Sequence, residues 1–294
     1  MPDFEWQSPL TLPQALRLLN AFPDEAVALA GGQSLLPAMA LRRRRPRLLV
    51  DLNAIESLTR IDMDGGTLVV GAMVRQRTAE RDPLVTRHAP LLALAAGMTG
   101  HVAVRNRGTV GGSLAQAEPG AEIPVAAAAL GGRAVLEGPQ GRREVPVAEL
   151  IQGPHRTALG QGELLTSIRI PIGRPAGAEA MEELCLPVGG RPVACVAAVV
   201  RPDPDGVTHT ARIVVSGRGH PLRVIDVRQV TDSRARQSVL AALPVPLPAS
   251  GPATAGPPED YCRRAIAELT TRAVRRALEQ AVVAGTEETG VSRG

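Results

Sequence analysis

The 294-residue chain contains no lysine, so all 33 of its basic residues are arginine. Any role that a related protein gives to lysine must here pass to arginine or be lost. A Walker-type phosphate loop, which needs its lysine, is excluded. Alanine, proline and glycine are abundant, as expected of a GC-rich coding bias. Aromatic residues make up 1% of the chain, with one Trp, one Tyr and two Phe. Leu, Val, Ile and Ala must therefore fill the core, with few large anchors.

Cysteine is also sparse. Cys185, Cys195 and Cys262 are far apart and none forms a CxxC pair. An iron–sulfur cluster needs four thiolates at compact spacings, so this chain carries none of its own. An odd, scattered count also argues against a secreted disulfide framework. The N-terminal residues Met1–Trp6 show no basic stretch followed by an apolar one, so no signal peptide is expected. No apolar run reaches the roughly 18 residues of a membrane span. A cytoplasmic protein is expected.

The pI is about 9.7 and the net charge +4. Basic character of this order is one mark of nucleic-acid binding. Its distribution here argues otherwise. Arg42–Arg45 is the one dense run, and no aromatic residues are interleaved for base stacking. It reads as a solvated loop or helix end, or as a contact for an acidic partner.

A domain spans roughly 100–200 residues, so two compact units are expected. Thr11 and Gln14 have the spacing of a capping box, and Leu16, Leu19 and Phe22 follow at helical spacing. Ala26–Ala30 reads as a buried strand ending in Gly-Gly, Ser34–Leu41 as a helix and Arg47–Leu52 as a strand. Thr67–Ala72 is a strand after an Asp64-Gly-Gly66 turn. Leu91–Ala96 reads as a helix, Arg105–Ser113 as a Gly-rich loop, and Glu122–Leu130 as an Ala-rich helix. Arg133–Glu137 and Arg143–Val145 flank a hairpin turn at Gly138–Gly141. Glu163–Ile170 is a strand stopped by Pro171. Gly173–Gly177 marks a boundary. Beyond it, strands are expected at Val193–Arg201 and Ala211–Gly217 around an Asp203–Gly206 turn. A Pro/Ala-rich loop follows at Pro244–Pro258. Tyr261–Val283 is a long helix with Ala265, Leu269, Ala273 and Ala277 as its buried stripe, and the last ten residues are expected to fray. His88, His101, His155, His209 and His220 are scattered singly, away from metal-ligand spacing, and read as surface or loop residues.

Two glycine loops carry the chemistry. Ala30-Gly31-Gly32-Gln33-Ser34 follows a strand and opens a helix. Amides at a helix N-terminus point outward unpaired and favour an anion. Glycine lets the backbone approach a pyrophosphate, and Ser34 can cap the helix or donate its hydroxyl. A plain strand–helix turn would look the same. The adjacent glycines lack the GxGxxG spacing of a Rossmann fingerprint. The second loop, Arg105-Asn-Arg-Gly-Thr-Val-Gly-Gly-Ser113, lies about eighty residues on. It adds paired glycines and the hydroxyls of Thr109 and Ser113, though a tight connecting loop would share them. Two such loops could hold the two phosphates of one dinucleotide.

In company, these residues carry a resemblance. Ala30–Pro37 with Leu49–Asn53, then Arg105–Ser113, then Glu118-Pro-Gly-Ala-Glu-Ile-Pro124 are similar to the FAD-binding (medium) subunits of molybdenum hydroxylases. The carbon monoxide dehydrogenase medium subunit and the xanthine dehydrogenase flavin domain belong to that family. Order and spacing agree over residues 1–172. Gly153, Thr157-Ala-Leu159 and Glu163-Leu164-Leu165 continue the pattern.

The resemblance implies an α+β flavoprotein. A two-lobed FAD-binding domain of PCMH type would span 1–172. A smaller domain of antiparallel sheet and helices would span 178–287. FAD would be held without a covalent bond by Ala30, Gly31, Gly32, Gln33, Ser34 and Leu35, with Thr109, Gly111, Gly112 and Ser113. Glu122 would hydrogen-bond the cofactor, and Leu159 or Leu165 would pack near the flavin or adenine. Molybdopterin and two [2Fe–2S] clusters would sit on a large and a small partner subunit. This chain would relay electrons to NAD, a quinone or another acceptor. No side chain is assigned an acid–base role, and the substrate pocket would lie on another chain.

The match departs in one segment. Relatives carry an aromatic residue, a lysine and a Gly-Asp near the flavin ring, where this chain has Met181, Glu182-Glu183 and Gly189-Gly190. A carboxylate replacing a cation there is expected to lower the flavin potential. The departure keeps two alternatives open: a divergent stand-alone flavoprotein of a biosynthetic pathway, and a flavin-free scaffold subunit. Intact glycine loops argue against the scaffold.

Overall fold

A computed structural model describes residues 3–172, 177–186, 192–203, 208–243 and 258–290, with Glu259 and 282–290 described through their backbone alone. The chain divides into two compact units. The first comprises 1–117 and 131–172, the second 118–130 and 173–294. The expected boundary at residue 172 thus misses one exchange: residues 118–130 group with the second unit. Gly173–Ala176, Gly189-Gly190, the turn residues 204–206 and the Pro/Ala-rich loop up to residue 257 lie outside the described residues.

The first unit begins with a three-stranded parallel sheet of β1 (Glu5–Gln7), β2 (Ala26–Leu29) and β3 (Leu48–Asp51), with β3 in the centre. Helices α1 (Leu12–Ala21) and α2 (Leu35–Ala40) connect the strands. The α1 start is as read from sequence: the Thr11 hydroxyl accepts from the Gln14 amide, and the Gln14 side chain returns the bond. Helices packed on opposite sides bury both faces of β3. Leu48 and Val50 pack with Ala15 and Leu19 of α1, while Leu49 packs with Met39 of α2. Phe22, expected on the buried face, caps the helix and is exposed.

A five-stranded antiparallel sheet completes this unit. Its order is β4 (Ile61–Asp64), β5 (Thr67–Gly71), β10 (Leu164–Pro171), β6 (Arg133–Gly138) and β7 (Gly141–Pro146). Strand β10 ends at Pro171, as read from sequence, with Pro171 itself the last paired residue, opposite Thr67. Four short helices run from β5: α3 (Gln76–Ala79), α4 (Pro83–His88), α5 (Pro90–Met98) and α6 (Val102–Arg107). Then come α7 (Val110–Gln116), α9 (Val147–Leu150) and a small pair, β8 (Ile151–Gly153) and β9 (Arg156–Thr157). The stretch Arg105–Ser113, read as a loop, is therefore mostly helical. Glycines weigh against helix on propensity alone. Here packing overrides propensity, because a Cβ on Gly111 would stand 2.4 Å from the Ala72 Cβ.

The second unit holds an antiparallel meander of β11 (Ala178–Cys185), β12 (Pro192–Pro202), β13 (His209–Gly217) and β14 (His220–Val227). On one face Ala194, Val196, Ala198 and Val200 meet α10 (Asp232–Ala242) and α11 (Glu259–Gly290). Ile266, Leu269, Ala273, Val274 and Ala277 supply the α11 side, so its apolar stripe is wider than the one read from sequence. The helix continues to Gly290, through residues expected to fray. Helix α8 (Glu122–Ala129) is wholly buried and packs on β12 and β13, which is why residues 118–130 group here. His220 is buried, against the expectation of a surface residue. The largest fully buried side chains are Leu, Ile and Met, as the shortage of aromatics demands. Among the described residues no helix is long and apolar enough to cross a membrane.

Candidate functional site

The first glycine loop stands at the carboxyl ends of the parallel strands, where open α/β sheets bind ligands. Strand β2 ends at Leu29 and its chain turns at Gly31-Gly32 into α2. Gly32 has φ +74°, a conformation open to glycine with little strain. Among the described residues, no acceptor takes the amides of Gly31, Gly32, Gln33, Ser34 or Leu35. Five consecutive donors are thus left for solvent or a ligand. Ser34 does not cap the helix as expected. Its backbone is already helical (φ −107°, ψ −44°) and its hydroxyl makes no capping bond. Gln33 is exposed, and its side chain reaches back to the Gly31 carbonyl at 3.4 Å.

The second loop is built differently. Thr109 is extended (φ −120°, ψ 156°) and 1% exposed, and its hydroxyl accepts from the Gly112 amide at 3.0 Å. Val110 donates to Val74, Gly111 to Ala72 and Ser113 to the Thr109 carbonyl. All four amides from 110 to 113 are consumed within the protein. Arg105 is occupied as well, pairing with Glu80 at 3.2 Å and donating to the Gly100 carbonyl. Arg77 beside Glu80 holds that carboxyl below its ordinary range, against the opposing effect of burial, and Arg105 adds to the lowering.

The two loops touch. A Cβ on Gly31 would stand 2.2 Å from the Arg107 carbonyl oxygen, so any side chain there would drive the loops apart. A cleft of about 260 Å³ opens beside the contact. Ala30, Gly31 and Gly32 line it, with Leu29, Leu36 and Trp6 as apolar wall. Its polar side is Asp51 and Asn53 from the end of β3, together with Arg75 and Arg107. Neither arginine forms an ion pair among the described residues. Burial, then repulsion from Arg107, lowers the Arg75 pKa, while Asp51 works the other way.

Of the residues read from sequence, Ala30, Gly31 and Gly32 line this cleft; Gln33, Ser34 and Leu35 continue the loop past it. Thr109, Gly111, Gly112 and Ser113 brace the neighbouring segment. Leu165 is 5% exposed and paired with Leu136 inside the five-stranded sheet, while Leu159 is half-buried. Glu122 belongs to the second unit and contacts Glu183 there. Arg75 was not read from sequence, and Asn53 appeared only as the end of the Leu49–Asn53 run, because the fold alone brings both to the loops. Five open amides, a left-handed glycine and two guanidiniums with no ion pair among the described residues form a donor set that fits a diphosphate.

Comparison with known proteins agrees. The family described as FAD binding domain in molybdopterin dehydrogenase matches residues 2–173. The carbon monoxide dehydrogenase medium chain of Hydrogenophaga pseudoflava is 38% identical over 208 residues, covering 71% of this chain and 72% of that one. The 6-hydroxypseudooxynicotine dehydrogenase complex subunit alpha of Paenarthrobacter nicotinovorans is 34% identical, covering 74% of each chain. In the solved carbon monoxide dehydrogenase from Hydrogenophaga pseudoflava, one chain superposes with a TM-score of 0.84 at 31% identity. That match covers 95% of this chain and 98% of the other. The chain therefore belongs to the FAD-binding domain family of the molybdopterin dehydrogenases and is an FAD-binding subunit of an oxidoreductase.

Proposed function

We propose that this chain is the electron-relay subunit of a molybdenum-hydroxylase-type dehydrogenase. The observation that carries the reading is the run of five open amides at Gly31–Leu35, set beside Arg75 and Arg107. Such an arrangement is suited to a dinucleotide's diphosphate, held without a covalent bond. Ser34 adds a hydroxyl that no capping bond consumes. The second loop, including Thr109, Gly111, Gly112 and Ser113, serves as the rigid wall against which the first is set. Bound FAD supplies the redox chemistry, and the protein's share is binding and orientation. Glu122 and Leu165 are proposed as further contributors on the family resemblance.

The partners proposed are a small iron–sulfur subunit and a large molybdopterin subunit, which accounts for the lack of a compact cysteine set here. NAD or a quinone is the proposed acceptor. No nucleic-acid partner is proposed, since Arg42–Arg45 have no aromatic residues interleaved for base stacking. The test is to purify the chain alone and record its visible absorption, then identify what denaturation releases. Flavin bands with release of FAD support the reading. A colourless chain that FAD cannot reconstitute overturns it. Co-expression with neighbouring reading frames then tests the partners: iron and molybdenum should co-purify with the flavin.

A further inference from the structure

We propose that Arg75 and Asn53 act as one positioning unit that fixes the spacing of the two glycine loops, so that a dinucleotide meets both as one rigid surface. The inference rests on the reading of the cleft as an FAD diphosphate site.

Arg75 is tied to the second loop through its backbone. It bridges Thr109 in antiparallel fashion, with the Gln76 amide on the Gly108 carbonyl at 2.9 Å and the Val110 amide on the Val74 carbonyl at 3.0 Å. Its side chain leaves that bridge and makes two bonds. One guanidinium nitrogen donates to the Arg107 carbonyl, and the other donates to Asn53 Oδ1 at 2.6 Å. Asn53 Nδ2 then donates to the Ala30 carbonyl at 3.1 Å, immediately before the first loop's glycines. Three side-chain hydrogen bonds thus run from one loop to the other. Asn53 is itself held by Asp51, whose Oδ1 accepts from both the Asn53 backbone and its side-chain amide.

The opposing constraint is steric. Gly31 rests on the Arg107 carbonyl with no room for a Cβ. Hydrogen bonds draw the loops together and backbone contact stops them, so the spacing is set from both directions. The second loop cannot compensate by offering its own amides, since those of 110–113 are already bonded. A planar guanidinium with a fixed fork can serve two oxygens at once, which an ammonium on a flexible stem does poorly. Spacing of this kind governs affinity because a ligand that must touch two surfaces loses contacts when one drifts.

The experiment titrates FAD into the deflavinated full-length chain, comparing wild type with Arg75→Met, Asn53→Ala, the double variant and Arg75→Lys. Each single loss should weaken FAD about tenfold, the worth of one charge-assisted hydrogen bond. The double variant should be no weaker than the worse single one, because both cut the same bridge. Arg75→Lys keeps the charge but should not restore affinity, and the loss should persist at high salt, where a purely electrostatic one is screened. Additive losses, or full rescue by lysine that salt abolishes, would overturn the bridge and leave Arg75 as a charge alone. Should Arg75→Met fold poorly, Asn53→Ala compared with Arg75→Lys makes the same distinction. A wild-type chain that binds no FAD overturns the cofactor reading and this inference with it. A wild type that binds, with Asn53→Ala its equal, overturns this inference alone.

Discussion

Inside the second unit the carboxyl of Glu183 on β11 meets that of Glu122 at the start of α8. Glu122 is 3% exposed, and Glu183 Oε2 is buried with no hydrogen-bond partner. Cys195 stands opposite Glu183 on β12, and Ser216 pairs with Cys195 on β13, its hydroxyl accepting from the Gly120 amide. Cys185 also bonds the Glu183 carboxyl. Two carboxyls in contact cannot both ionise cheaply, so the pair favours keeping a proton.

A pH dependence follows from this pair. Burial raises the Glu183 pKa, and hydrogen bonds from Cys185 and Glu122 offset it only in part. A carboxyl raised in the folded state binds more protons there than in the unfolded chain. Its contribution is therefore fully present below the ordinary carboxylate range and is lost as pH rises through the folded value. Melting temperature should fall with rising pH in wild type by more than in Glu183→Gln, whose neutral amide cannot ionise. Identical pH slopes in the two proteins would refute the shared proton.

The contact of Gly31 with Arg107 gives a steric prediction. Gly31→Ala places a methyl 2.2 Å from a carbonyl oxygen, which only backbone movement can relieve. Overpacking of this kind costs about 1–3 kcal/mol. FAD affinity should fall at least in proportion, read by flavin titration. Gly153→Ala is the control. Its Cβ would meet nothing within 4 Å, and neither stability nor flavin content should change.

Local signals were legible in the sequence where they are self-contained. Thr11 and Gln14 announced α1, and Gly138–Gly141 announced the β6–β7 hairpin. Strand β1 was not, because Glu5, Trp6 and Gln7 are all exposed and show no alternation. Strand β11 was hidden by Glu179, Glu182 and Glu183. Helix α10 was missed because only Ala235 and Val239 are buried in it, although Thr231 supplies an N-cap. The site divides in the same way. Its glycine loops are contiguous in sequence and could be read directly. Arg75 and Asn53 reach them only through the bridge to Thr109 and the end of β3, contacts that no local pattern encodes.

The loops differ in how their hydroxyls are used, which separates two alanine substitutions. Thr109 caps α7 through a bond to the Gly112 amide, and it is buried. Thr109→Ala should cost about 1 kcal/mol of stability, the usual worth of a cap. Ser34 makes no capping bond, so Ser34→Ala should change stability by less than about 0.5 kcal/mol. On the proposed function it should nevertheless weaken FAD. Chemical denaturation and flavin titration of both variants measure the two effects independently. A destabilised Ser34→Ala with unchanged FAD affinity would reverse the assignment.

Thiol reactivity offers a final check on the second unit's interior. The thiolate is the reactive species, so a raised pKa suppresses alkylation. Burial pushes the Cys185 thiol up to about 12, and the nearby Glu183 and Glu122 carboxyls push in the same direction. Cys195 is fully buried beside the same two acids, and its pKa is raised well above the ordinary thiol value. Cys262 is buried in α11. Mildly alkaline iodoacetamide should therefore label none of the three cysteines in the native protein, and all three after denaturation. Cys185 is the informative one, because it is only half-buried and access alone would not protect it. If Glu183→Gln makes Cys185 react faster while Cys195 stays silent, the acid pair controls the thiol through its charge. If Cys185 already labels rapidly in wild type, the cluster is more open to water than its burial implies, and the retained proton loses its physical basis.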